Sequence, residues 1–122
     1  MTSVSKVLVV PATVSLITDF YGEPPSKTQK SFAILEEGNV VSIVGVYRNS
    51  GKAVLFSDSK PQVEENKKHY ARAAVKSMKL LLPYMKEIGA VMSVADEKIH
   101  RSVEFLEHFG FIKNGEVFIW QK

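Results

Sequence analysis

The stretch Ile99-His100-Arg101-Ser102-Val103-Glu104-Phe105-Leu106-Glu107-His108-Phe109-Gly110-Phe111 decides how this chain is read. Ile99, Val103, Leu106 and Phe109 recur at helical spacing and would share one face of an amphipathic helix. Asp96 offers an N-cap oxygen ahead of that helix, and Gly110 behind it is the residue best able to take a left-handed conformation. Phe111 then leads into a short strand, Asn114-Gly115 supplies a turn, and Val117-Phe118-Ile119-Trp120 closes the chain as a second strand.

Upstream, Val63 to Ile88 carries the longest helical pattern, with Tyr70, Ala73 or Ala74, Ser77 or Met78, Leu81, Met85 and Ile88 marking an inward stripe. Pro83 falls inside it. Its missing donor and its clash with the preceding turn, costing roughly 3 kcal/mol, predict a kink or a fresh helical turn there. Gly89 ends the pattern, and Ala90-Val91-Met92-Ser93-Val94 reads as a short buried strand. Between Ser31 and Ser57 three strands form a meander with turns at Glu37-Gly38-Asn39 and Asn49-Ser50-Gly51-Lys52, and turns this short require antiparallel pairing. Gly45, in the second of these strands, indicates a bulge, a close approach by another backbone, or a merely tolerated glycine. At the start, Lys6 to Val10 reads as a buried strand and Pro11 as the first turn of a helix bearing Val14, Ile17 and Phe20 or Tyr21, ended by Gly22. Glu23-Pro24-Pro25-Ser26 is a loop by composition.

The order β, α, three β, α, β, α, β, β predicts an α/β (α+β) fold: a mixed, mostly antiparallel sheet flanked by helices. A parallel crossover around the long helix would open a cleft at the strand ends. With 122 residues and 45% hydrophobic composition, residues 1–122 suit a single domain. This order, closing on a helix, Phe-Gly-Phe, a short strand, an Asn-Gly turn and an aromatic strand, resembles the GNAT superfamily of N-acetyltransferases.

The resemblance implies an acetyl-CoA-dependent N-acetyltransferase acting on a small-molecule amine or a protein amine. It also implies that the cofactor pyrophosphate is held at the start of the long helix, where the family carries Arg or Gln, two residues, Gly, one residue, then Gly or Ala. The nearest match is Lys68-His69-Tyr70-Ala71-Arg72-Ala73, in which Lys68 stands for Arg or Gln, Ala71 for the first Gly, and Ala73 fits the last position. Such a site needs free N–H groups at a helix start and room for phosphate to approach them; Lys67, Lys68 and Arg72 would add charge. In the final helix, Ile99 replaces the asparagine that often lies near CoA, with His100 and Ser102 beside it, and Leu106 stands where many members place a tyrosine acid. These departures motivate an alternative: a GNAT-fold protein that no longer catalyses and serves as a binding or assembly module. Compact GNAT-like proteins of this kind also occur in bacteriophage genomes.

Three carboxylates, Asp58, Glu64 and Glu65, lie at or just beyond the end of the central strand and are candidate bases. Each has a structural alternative. Glu64 and Glu65 would complement a helix N-terminus, and Asp58 sits in a Ser-Asp-Ser context where Asp often bonds its own backbone. His69 is a further candidate base, or an exposed surface residue.

The chain has no cysteine, which excludes disulfides, thiolate metal sites and a Cys nucleophile, and its three histidines share no ligand spacing, so no metal is expected. The longest apolar run, Val7 to Val10, is too short for a bilayer, and a cytoplasmic protein is the expectation. A net charge of +3 does not by itself demand a nucleic-acid partner. Its distribution does suggest one as a third possibility, because Lys60, Lys67, Lys68, Arg72, Lys76 and Lys79 gather in one region. Trp120 and Phe118 would fill the core or an edge interface, through which a homo-oligomer could form.

Overall fold

The computed structural model describes residues 6–93 and 100–122, the second stretch with side chains from residue 103 onward. The chain folds as β1 (Val7–Pro11), α1 (Val14–Tyr21), β2 (Gln29–Glu36), β3 (Asn39–Asn49), β4 (Lys52–Ser59), α2 (Pro61–Glu65), α3 (Lys67–Ile88), β5 (Ala90–Ser93), α4 (His100–His108), β6 (Ile112–Asn114) and β7 (Val117–Gln121). The strands form one sheet in the order β1-β2-β3-β4-β5-β7-β6, and every neighbouring pair except β4–β5 is antiparallel.

The meander follows from its turns. Glu37 and Gly38 have φ of 52° and 82°, and Ser50 and Gly51 have 51° and 78°; paired positive φ values give the turn whose twist matches the flanking strands. Gly45 is a point of close approach. A Cβ there would stand 2.6 Å from Ser31 Cβ and 2.7 Å from the Lys30 carbonyl oxygen. The register irregularity lies elsewhere: Ile34 pairs with Ser42 but Leu35 with Val40, leaving Val41 as an extra residue in β3. Strict alternation would put Val40 and Ile43 on opposite faces. The bulge lets both join one cluster with Ala33 beneath α1, while Val41 enters the larger core.

That larger core lies on the other face, where Tyr70, Ala73, Met78, Leu81 and Met85 of α3 and Leu106 of α4 pack on Phe32, Ile34, Val44, Val46 and Leu55. Alpha4 ends as its sequence indicates. The Gly110 N–H donates to Glu107 O, the Phe111 N–H donates to Leu106 O, and Gly110 has φ 92°; this is a Schellman cap with its Leu106–Phe111 apolar contact. Asp96, Ile99 and Val94, named above, lie outside the described residues.

Three local expectations are corrected. Pro11 is the last residue of β1, opposite Phe32, and α1 begins at Val14 with Thr13 as its cap, Thr13 Oγ1 accepting from the Leu16 N–H at 3.2 Å. A proline is tolerated there because β1 is the sheet edge, which is also why β1 is only half-buried and Leu8 is exposed. The long helix starts at Lys67, after a break at Asn66 (φ −128°, ψ 48°) that divides it from α2. Finally, α3 continues through Pro83 as one helix, so no fresh helical start occurs there. Pro83 and Lys79 are both exposed, so water can reach the Lys79 carbonyl that Pro83 leaves without a helical donor.

Candidate active site

Beta4 and β5 form the parallel pair of the sheet. Among the described residues their ladder is the one pair Val54 with Met92, and β4 continues for five residues to Ser59. The Lys60 N–H donates to Val41 O, and Asp58 and Phe56 lie opposite Ile43 and Gly45 in the β3 ladder. By alternation, the N–H and C=O groups of Ser57 and Ser59 point away from β3, toward the β5 side. Ser93 Oγ donates to Leu55 O at 3.4 Å, so the last described residue of β5 still contacts β4.

Alpha2 and α3 begin at this end of the sheet. Pro61 occupies the first turn of α2, and neither Lys60 nor Asn66 caps its helix through a side chain. At the junction, the Asn66 N–H donates to Val63 O and the His69 N–H to Asn66 O. The first turn of α3 contains no acid; it carries Lys67 and Lys68, placed at the positive end of the helix dipole. Glu64, Glu65, Lys67, Lys68 and His69 line one shallow surface depression here, and Glu64 pairs with Lys67 at 3.8 Å. Tyr70 and Ala73 turn inward to the core, whereas Ala71 and Arg72 face solvent.

Glu36, which sequence reasoning missed, organises the α3 start. Its Oε1 accepts from the Tyr70 hydroxyl at 2.6 Å and its Oε2 lies 2.6 Å from His69 Nε2. The Tyr70 hydrogen bond, followed by that of His69, holds the Glu36 carboxyl below its ordinary range, and the same carboxylate raises the Tyr70 phenol. The last residue of β2 thus grips two successive residues of α3 from across the sheet end.

Asp58 is not part of this cluster. It shares the face of Phe56 and Ile43, under α1, and accepts a hydrogen bond from the Tyr21 hydroxyl at 2.6 Å. Burial, then the bond to Asp58, pushes the Tyr21 phenol well above its usual value, so Tyr21 remains a neutral donor. Asp58 and the α3 start therefore stand on opposite faces of the sheet. Tyr21 was also missed as a site residue, since it ends an apolar stripe and its partner is 37 residues away. The side chains of His100 and Ser102 lie outside the described residues. Leu106 is buried in the core.

No protein-family model matches the chain, and no curated protein matches it in sequence. Its backbone nevertheless superposes on solved acetyltransferases over nearly its whole length. The ribosomal-protein-S18-alanine N-acetyltransferase of Escherichia coli matches with a TM-score of 0.61 at 9% identity, covering 95% of this chain and 94% of that one. A GNAT-family acetyltransferase of Staphylococcus aureus Mu50 matches with 0.61 at 10% identity, covering 95% and 99%. Mutant forms of the spermidine/spermine N-acetyltransferase of Vibrio cholerae match with 0.58 at 14% identity, covering 95% of each chain. Identities this low speak to architecture alone, and that architecture, a mixed and mostly antiparallel seven-stranded sheet flanked by helices, is the GNAT fold.

Proposed function

We propose that the chain is an acyl-CoA-dependent N-acetyltransferase. The observation that carries this reading is the architecture itself: a parallel β4–β5 pair in a sheet like that of solved acetyltransferases, with the chain passing from the end of β4 through α2 into α3. Bound acetyl-CoA would supply an activated acetyl thioester. Its phosphates fit the α3 start, where Lys67, Lys68 and Arg72 add positive charge and a capping acid is absent. His69, Tyr70, Ala71 and Ala73 belong to the same segment, with His69 and Tyr70 held in place by Glu36. His100 and Ser102 are proposed for the far wall on the family resemblance alone.

On the other face, Asp58 is the favoured base. Its carboxylate can attract an ammonium and accept the proton that the amine must lose before it attacks a carbonyl. Tyr21 orients that carboxylate and, being neutral, does not add to its charge. Glu64 and Glu65 stand with the cationic cluster at the α2–α3 junction, where Glu64 already pairs with Lys67. The acceptor class proposed is a small-molecule or protein amine.

Titration calorimetry with acetyl-CoA, followed by acetylation assays on a panel of polyamines, amino acids and peptides, tests the reading. Saturable binding with turnover of any amine supports it; absence of binding overturns it. The buried Leu106 favours one alternative, because α4 offers no tyrosine to protonate a departing thiolate there. On that reading the chain binds the cofactor as a non-catalytic module, and binding without turnover across the panel would select it.

A further inference from the structure

The charges of the chain are sharply divided. Six of its sixteen Lys and Arg residues, but of its thirteen Asp and Glu residues only Glu87, lie in α3, so the remainder carries ten basic against twelve acidic side chains. A molecule of formal charge +3 is thus a basic helix on an acidic body. Lys68, Arg72, Lys76, Lys79 and Lys86 are all exposed. At about 3.6 residues per turn and 1.5 Å per residue they fall within an arc of roughly 80° and extend about 27 Å along the helix axis. Among the described residues none of the five has a carboxylate within 4 Å, in contrast to Lys67 and His69, which are paired with Glu64 and Glu36.

We propose that this row is a phosphodiester-binding face, on which the five cations contact successive backbone phosphates of a nucleic acid. The proposal rests on the charge row and not on the acetyl-transfer reading. A single-file line of unpaired cations matches a polymer that is itself a line of evenly spaced charge. Beside the row lie Ala71 and Val75, small enough to let a backbone come close; with Arg72, Lys76 and Lys79 they line a shallow open groove. The other polyanions fit less well. A protein partner would need an apolar anchor pocket, and this groove is shallow and open. A membrane surface would hold such a row firmly only with apolar burial added to the charge, and the nearest large exposed apolar residue, Leu80, lies about 80° around the helix from its middle.

The test is fluorescence anisotropy of the full chain with a labelled mixed-sequence DNA duplex and a labelled single-stranded RNA, each from 50 to 200 mM KCl, with polyglutamate and phosphatidylserine vesicles as competitors. Five contacts predict a slope of log K against log salt near −4.5 on a duplex, a loss of several hundred-fold across that range. Lys76→Glu/Lys79→Glu, which spares the residues proposed for the cofactor, should flatten the slope by about 1.8 on duplex or about 1.4 on single strands. Preference between the two probes identifies the source. No binding at 50 mM KCl, a variant that binds as the parent does, or competition by polyglutamate or vesicles equal to that of nucleic acid would each overturn it. Acetyl-CoA calorimetry on the same variant separates this outcome from failure of the transferase reading.

Discussion

Tyr70, buried in the first turn of α3, donates its hydroxyl to Glu36 at the end of β2 over 2.6 Å. Residues 34 apart in sequence thereby set where the α3 start sits relative to the sheet. Tyr70→Phe removes that bond and keeps the ring, so the unfolding free energy should fall by about 1 kcal/mol. Urea denaturation reads this directly, and a variant as stable as the parent would show that the contact contributes nothing.

Glu36 gives the same contact a pH dependence. Its folded-state pKa is depressed, first by Tyr70 and then by His69, so the stability it contributes is present above the unfolded carboxylate value of about 4.3 and is lost as pH falls through the folded value. Urea midpoints measured from pH 6 to pH 2.5 should therefore drop less steeply for Glu36→Gln than for the parent. Parallel curves would contradict the assignment.

The phenols of Tyr21 and Tyr70 are raised, the first by burial and Asp58, the second by Glu36 and burial. Alkaline titration followed at 295 nm should show two of the four tyrosines ionising above the ordinary value of about 10. Asp58→Asn should return one of them toward it, and no change would mean that Tyr21 and Asp58 are not bonded in solution.

Gly45→Ala tests the close approach of β3 to β2. The new methyl would meet Ser31 Cβ, the Lys30 carbonyl and, at 2.9 Å, Phe56 Cε1. Two of these cannot swing aside, so a loss of about 1–3 kcal/mol is expected from overpacking. A urea midpoint equal to the parent's would mean that β2 and β3 relax freely.

If the transferase reading holds, Asp58→Asn should lower kcat/KM for the acceptor by about 100-fold or more while leaving acetyl-CoA affinity within about twofold. Tyr21→Phe should act in the same direction and less strongly, with a shift in the pH–rate profile, because it alters the carboxylate and not the cofactor face. Equal turnover by Asp58→Asn and parent would remove Asp58 as the base.

Local chemistry made much of this fold legible in advance. The two positive-φ hairpins, the Gly22 and Gly110 helix ends, the inward stripe of α3 and the order of elements all depend on residues within a few positions of one another, where steric limits on φ and hydrophobic periodicity operate. The site was less legible. Asp58, Lys67, Lys68 and Arg72 were recognisable as residue types in a suggestive place, but Glu36 and Tyr21 were not, because their partners are brought close only when the sheet closes.

By itself, then, the sequence determined which segments become helix or strand and where most of them turn. Tertiary structure decided that Pro11 ends an edge strand, that α3 begins at Lys67 and runs through Pro83, that Val41 bulges, and that Asp58 and the α3 start stand on opposite faces of the sheet. The physical reason is common to these cases: each depends on which neighbouring backbone, carboxylate or water stands opposite the residue, and that pairing is a property of the packed sheet.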